Sequence, residues 1–283
     1  MRAVIVLYNR DMHSSLTLKS LQHIDGRFKK KINIDIYDNS PEPAGIDYKE
    51  CLSGFKSVAY KSDVRNSGLA AAYNYTLGRC GKEDRWLLLM DQDTRITDLF
   101  FESIGRLTEN NALDENIAAI VPDIFNERGD FIVPVKVSKI LGRYSFFKPD
   151  NHLISGEVRT INSCSLINVR FLHEIGGFNN AFQLDCLDHW LFHTIYQKKK
   201  RVYLTHDRIV HELSINNTDI YVSEERYKSI LDAEQLFYRT YTSKMNYGFY
   251  KVRLMKRAVK QKLKVKNQRI FKMTLNRIFG GRP

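Results

Sequence analysis

Three short apolar runs, each ending abruptly in carboxylate or amide side chains, constrain this chain more than anything else in it. "RAVIVLYN" and "WLLLMDQDT" carry the aliphatic density of buried strands, and "INIDIYDNS" returns to a strand that stops at Asp38-Asn39-Ser40. Between the first two, Leu16, Leu18, Leu21 and Ile24 follow Ser14 and Ser15, the cap and apolar stripe of a helix. Strand, helix, strand is the signature of a parallel crossover, so the expected class is α/β with a mostly parallel sheet flanked by helices. "SVAYKS" continues the series as a short strand, and "NSGLAAAYNYTLGRC" as a helix starting near Ser67. Downstream the pattern predicts a helix over 98–109, a strand in "IAAIVP" and another in "VRTINSCSLINV". Helices over 169–175 and 184–197, a strand in "RVYLTH" and one long helix over 223–247 follow. Residues 123–155 read as loop-rich.

The runs Ala3–Tyr8 and Trp86–Met90 are strand-length, far short of the roughly 18 apolar residues of a membrane span. The N-terminus shows no signal-peptide pattern, and Cys51, Cys80, Cys164 and Cys186 are widely spaced. They are expected as reduced thiols of a cytoplasmic protein. The net charge of +12 is unevenly placed. Residues 251–283 hold twelve Lys and Arg and no acid; removing those twelve from the 44 basic residues leaves 32, equal to the acidic count. A formally neutral body with a basic tail points to tethering, not to a nucleic-acid surface spread over the body. We therefore expect a domain over 1–250 and a basic tail over 251–283. In the tail Val252, Met255, Val259 and Leu263 fall at helical spacing, with Phe271, Leu275, Ile278 and Phe279 beyond them. A basic amphipathic helix reads as an element for an anionic membrane surface, and otherwise as a solvated tail.

In open parallel sheets ligands collect beyond the carboxyl ends of the strands. Asp38-Asn39, Asn66–Gly68 and Asp91–Asp93 all fall at such ends and are expected on one rim. Neither GxGxxG nor GxxxxGK[ST] occurs, which removes the usual dinucleotide and phosphate-loop readings. Two carboxylates two positions apart at a strand end are oxygen ligands suited to Mg²⁺ or Mn²⁺. Each feature also has a plainer reading. Asp38 could cap a turn before Pro41, Ser67 could simply cap a helix, and Asp185 with Asp188 could form a solvated helix face. His189 and His193, at i and i+4, lack the glutamate and third ligand of a zinc site.

Taken in order, "VIVLYN", "IYDNS", "RNSGLAAAYN", "LLLMDQDT", "IGGFNNAFQLDCLDHW" and "VHELS" resemble a family 2 glycosyltransferase of GT-A fold, most closely the bacterial rhamnosyltransferases, over residues 3–245. The resemblance implies a GT-A sheet with a C-terminal helical extension. Its donor part would lie over about 1–122 and its acceptor part over about 123–250. It implies Tyr8 and Asp38 at the nucleotide base, Asn66 and Gly68 against the nucleotide with Asn74 in support, and Gln92 and Asp185 on the substrate. Asp91 would face the ribose or a metal-bound water, Asp93 and His211 would complete a divalent-cation site with it, and Asp188 would be the general base. The implied reaction is inverting transfer from a nucleotide sugar, dTDP-L-rhamnose for this branch. The acceptor would be a glycan or lipid-linked glycan at the inner face of the cell membrane. The alternatives are a nucleotidyltransferase, or a non-catalytic module acting through its basic tail. Trp190 stands where this branch carries an acid and Thr194 where it carries an arginine, departures that fall on the acceptor side.

Overall fold

In a computed structural model, residues 1–43, 48–109, 113–137, 144–147, 150, 152–212, 223–265 and 267–280 are described, 109 and 264 by backbone alone. The last two residues of "VHELS" and the last three of the basic tail lie outside them. The described chain forms two units, Met1–Lys136 with Ser145–Leu213, and Val137–Tyr144 with Ser214–Pro283.

The first unit is organised by the apolar runs. β1 (Arg2–Leu7) pairs in parallel with β2 (Asn33–Asp38) and with β4 (Trp86–Asp91), and β2 pairs in parallel with β3 (Ser57–Ser62). The register sets Leu7 beside Asp38, Val6 beside Asp91 and Asp38 beside Ser62, so the polar ends share one rim as expected. Alternate side chains serve opposite faces. Ala3, Ile5, Leu7, Ile34, Ile36, Leu88 and Met90 form one core with Leu18 and Leu21 of helix α1 (Leu16–Gln22). Short helices α2 (Gly26–Lys29) and α3 (Tyr48–Cys51) precede β3, and α4 (Gly68–Leu77) precedes β4. Ser15 caps α1 by accepting from the Leu18 N–H, as its position predicts.

After β4 the chain turns through residues 92 and 93 into β5 (Thr94–Arg95), then α5 (Asp98–Glu109) and β6 (Ile117–Phe125). The loop-rich stretch resolves into short strands β7 (Phe131–Val133), β8 (Val135–Val137), β9 (Tyr144–Phe146) and β10 (Leu153–Ile154). "VRTINSCSLINV" is two strands rather than one, β11 (Val158–Arg159) and β12 (Ser165–Asn168). Between them Cys164 takes a left-handed φ of 58° that no continuous strand accommodates. β12 enters the sheet antiparallel between β4 and β6. After α6 (Val169–Glu174) and α7 (Leu187–Gln197), β13 (Arg201–His211) runs parallel to β6, shifts register between Leu204 and Arg208, and ends antiparallel to β5. That last pairing sets His211 opposite Thr94.

The second unit is helical: α8 (Glu224–Tyr241), α9 (Lys244–Lys264) and α10 (Gln268–Phe279). The single long helix expected over 223–247 breaks at Thr242, where Ser243 caps a new helix by accepting from the Asn246 N–H. Tyr227, Leu231, Tyr250, Leu254, Ala258, Val265, Ile270 and Ile278 make its core. Within it Gln261 donates to the Tyr227 hydroxyl (2.7 Å), Thr274 donates to Gln261 (2.7 Å), and Thr274 and Tyr227 share a 2.7 Å hydroxyl contact. Arg257 grips Glu234 through two bonds of 2.8 and 3.0 Å. The helical unit thus begins well upstream of the composition shift at residue 250. No helix among the described residues is long and apolar enough to cross a membrane.

Candidate active site

The turn after β4 is held by its backbone, which leaves its carboxylates unspent. The Asp91 N–H donates to Ser163 Oγ (3.3 Å), and the Asp91 carbonyl accepts from the Thr17 hydroxyl. The Gln92 carbonyl accepts from Ser15 Oγ (2.7 Å) and the Asp93 carbonyl from the Glu212 N–H (2.8 Å). Gln92, expected on the substrate, has its side-chain oxygen tied to the Tyr8 N–H at 2.8 Å, joining the ends of β1 and β4. With the main chain fixed by α1, β12 and β13, ligand atoms of Asp91, Asp93 and His211 all lie within 4.8 Å of one another.

This cluster is electrostatically incomplete. Burial, then the charge of Asp93, then that of Asp188 push the Asp91 carboxyl up to about 7, against a single 3.4 Å bond from Tyr73. Burial likewise raises Asp93, opposed by the charges of His211 and Arg10. Asp93 Oδ1 is buried and accepts no hydrogen bond; the nearest His211 atom, Nδ1, lies 3.4 Å away and is engaged at 2.8 Å with Thr94 Oγ1. Burial lowers the His211 pKa, which favours the neutral imidazole a metal requires. Two repelling carboxylates, an orphaned buried oxygen and a neutral imidazole are a donor set that fits Mg²⁺ or Mn²⁺.

Asp188 sits in the first turn of α7, after Cys186 at a left-handed φ of 61°. Its Oδ1 accepts from the His189 N–H (2.6 Å) and lies 2.8 Å from His189 Nδ1. Burial alone would raise its pKa; His189 and the Arg159 charge outweigh that and hold it below the usual carboxylate range. The charge of Asp188 contributes to raising both Asp91 and Tyr73, so it lies within electrostatic reach of them. His193, by contrast, is turned to Glu157 at 2.9 Å, so the histidines of α7 each answer a carboxylate.

Other expected residues do structural work at the same rim. Gly68 adopts φ +88°, and a Cβ there would stand 2.3 Å from the Gln183 carbonyl, which accepts from the Leu69 N–H at 2.6 Å. Asn66, also left-handed at φ 52°, precedes it. Asn74 donates to the Phe178 carbonyl (2.8 Å) and to Asn180 Oδ1 (3.2 Å), and accepts from the Phe178 N–H (2.7 Å). Gly68 and Asn74 therefore fasten α4 to the 177–183 segment that leads into Asp185 and Asp188. Asp185 is partly buried at the end of that segment. Asp38 is fully buried, accepting from Tyr60 Oη (2.7 Å) and the Ser40 N–H (2.9 Å). Tyr8 and Tyr60 are the exposed groups there, and Tyr60 stacks on Tyr48 with ring centroids 4.9 Å apart. Sequence reasoning passed over Tyr60, Tyr73, Thr94, Ser163, Arg10 and Arg159, whose roles arise from contacts distant along the chain.

No protein-family model and no curated protein matches the sequence. Solved structures do match. The Staphylococcus aureus TarS fragment 1–349 in complex with UDP aligns at TM-score 0.53 and 12% identity over 98% of this chain and 88% of that one. The mannosyltransferase PcManGT from Pyrobaculum calidifontis, in complex with GDP-Man and Mn²⁺, aligns at TM-score 0.54 and 13% identity over 100% and 76%. The chain has the fold of these glycosyltransferases, and the expected α/β class with a mainly parallel sheet holds.

Proposed function

We propose that the protein is an inverting, divalent-cation-dependent glycosyltransferase acting on a nucleotide-sugar donor. The observation that carries this reading is the meeting, at the carboxyl rim of the sheet, of the cation-ready Asp91, Asp93 and His211 with an ionised Asp188. The neighbours whose structures contain UDP or GDP-Man with Mn²⁺ support a nucleotide sugar and a divalent ion as its ligands. The donor we propose first is dTDP-L-rhamnose, for the likeness of "LLLMDQDT" to rhamnosyltransferases. The acceptor we propose is a hydroxyl of a growing lipid-linked surface glycan. Such an acceptor would bring the enzyme to the inner face of the cell membrane.

In this reading Asp91, Asp93 and His211 would hold a divalent cation, which would supply Lewis-acid charge to a leaving diphosphate. Asp188 takes the proton of the acceptor hydroxyl as that oxygen bonds to the anomeric carbon. The bond from that carbon to the diphosphate oxygen breaks, and its electron pair leaves with the nucleoside diphosphate. His189 orients Asp188 through Oδ1. Tyr8 and Tyr60 offer the nucleotide base an aromatic edge, Asp38 positions Tyr60, and Gly68 lets the start of α4 close on Gln183. Gln92 and Asn74 act by holding the strand ends and the 177–180 segment.

The test is donor-dependent release of nucleoside diphosphate with dTDP-L-rhamnose and a panel of UDP- and GDP-sugars, with Mn²⁺ or EDTA. Asp188→Asn should lower transfer by at least about a hundredfold, the usual contribution of a general base. Full transfer by Asp188→Asn would remove the base assignment, and release of pyrophosphate would make the protein a nucleotidyltransferase instead.

A further inference from the structure

Helix α9 carries two apolar faces, and among the described residues one of them is buried in the helical unit's core. Tyr250, Leu254, Ala258, Gln261 and Val265 are buried in the helical unit. At about 100° per residue these five fall on one side of the helix, while Met245, Val252, Met255, Val259 and Leu263 fall within an arc of roughly 80° on the other. All five of the latter are exposed, from 43% for Met255 to 79% for Leu263. With a rise of 1.5 Å per residue the stripe is about 27 Å long. The sequence expectation of one amphipathic tail is thereby refined: Ile278 is buried and Phe271 and Leu275 are packed against the unit's core, whereas the row on α9 is left outward.

The charges around that row favour a particular partner. Residues 244–264 contain eight Lys and Arg and no Asp or Glu. Lys256 and Lys260 flank the stripe on one side and Lys262 on the other, all exposed. A second copy of this chain seated on the face would bring two uniformly basic helices together with no acid on either to answer them. Duplex nucleic acid would match the charge and leave the apolar stripe in water. An anionic lipid surface satisfies both, since headgroups meet the lysines and the acyl boundary takes the aliphatic side chains.

We infer that the outer face of α9 is a membrane-surface contact, with Met245, Val252, Met255, Val259 and Leu263 entering the headgroup region of an anionic leaflet between flanking lysines. The inference deepens the proposed function by naming the contact that would bring the enzyme to a lipid-linked acceptor, and it rests on that reading only for its purpose. Vesicle binding without donor tests it separately from transfer.

The full chain is sedimented with vesicles of phosphatidylcholine and phosphatidylglycerol in equal parts, and with phosphatidylcholine alone, at 0.1 M salt. Binding to the anionic vesicles should exceed binding to the neutral ones at least tenfold. Lys256→Gln with Lys260→Gln should weaken it about thirtyfold, from about fivefold per lysine near an anionic surface. Val259→Asp with Leu263→Asp should reduce binding to the level seen with neutral vesicles while the protein's melt and its activity on soluble substrates stay as in the wild type. Tryptophan at position 255, introduced as Met255→Trp, should shift its emission to the blue on anionic vesicles and be quenched by brominated acyl chains. Wild-type binding by the Val259→Asp, Leu263→Asp protein would overturn the inference, as would an unshifted Met255→Trp emission in vesicle-bound protein. So would a vesicle-free dimer that those aspartates abolish.

Discussion

Asp91→Asn should make the cation-free protein more stable while disabling its site, and the size of the gain follows from the geometry. In the folded chain the Asp91 carboxyl is pushed from 3.8 to about 7 by burial and by its neighbours Asp93 and Asp188. Below pH about 4 the folded and unfolded chains both carry the proton, and the site costs nothing. Between about 4 and about 7 the unfolded chain releases it while the folded chain keeps it, so stability falls as pH rises. Above about 7 the cost is fully in place. At ~1.4 kcal/mol per tenfold change in proton affinity, the displacement from 3.8 to about 7 gives about 4 kcal/mol, which partial exposure of the carboxylate reduces to roughly 2–4 kcal/mol. Asparagine keeps the shape and the contact with Tyr73 and removes the charge. At pH 8 in EDTA the variant should therefore melt roughly 4–12 °C above the wild type, and the difference should vanish near pH 4. Adding Mn²⁺ should raise the wild type and leave the variant almost unmoved, because a cation is stabilising in proportion to its preference for the folded site. Thermal unfolding by circular dichroism across pH 4–8, with and without Mn²⁺, makes the measurement. A variant less stable than the wild type at pH 8 in EDTA, or a difference independent of pH, would refute the reasoning.

Gly68→Ala places a methyl 2.3 Å from the Gln183 carbonyl at a left-handed φ, so both nucleotide-induced thermal stabilisation and transfer should be lost together. Asn74→Ala removes three bonds to Phe178 and Asn180; kcat should fall at least tenfold while donor affinity, read by calorimetry, stays within about threefold. Gln261→Met empties the centre of the buried polar triangle, removing the amide donor to Tyr227 Oη and the acceptor of Thr274 Oγ1. It should destabilise the helical unit by about 1–3 kcal/mol, visible as a lowered unfolding transition.

Where a segment's structure was set by its own residues, the sequence told it plainly. β1, β2 and β4 are strands buried on both faces, and Ser15 and Ser67 stand where the helices after them begin. The helix over 98–109 coincides with α5. Long-range pairing was another matter. His211 reaches Asp93 because β13 crosses to β5, and nothing near residue 211 announces that strand partner; only the order of motifs suggested it. Asp38 reads as an open polar strand end, yet Tyr60 seals it from the neighbouring strand. The tail was legible in part: Val252, Met255, Val259 and Leu263 form an exposed row, whereas Ile278 is buried and Phe271 and Leu275 pack against the core. A helix with apolar side chains on opposite faces shows helical spacing twice, and the face that packs includes Gln261 and Ala258, the less conspicuous of the two.

The two ends of the site are tuned in opposite directions, and the reason lies in where each positive charge comes from. Asp188 carries its own compensation, His189 in the same helical turn and the Arg159 charge, which hold its pKa below the usual carboxylate range with no ligand needed. Asp91 and Asp93 sit on a turn whose hydrogen bonds are spent on its backbone, and the protein supplies them with one tyrosine hydroxyl, a neutral imidazole and a distant arginine. A chain that wanted this turn for stability alone would have capped those oxygens, as it capped Asp38. Environments that drive two carboxylates apart in this way divide acid–base work between them. In the proposed reading, a base kept ionised by its own neighbours faces two carboxylates whose charged forms a bound cation would stabilise. Lowering the free cation should accordingly reduce transfer sharply while His189 and Arg159 keep the Asp188 pKa low, so the activity that remains should retain the acidic limb of the wild-type pH profile.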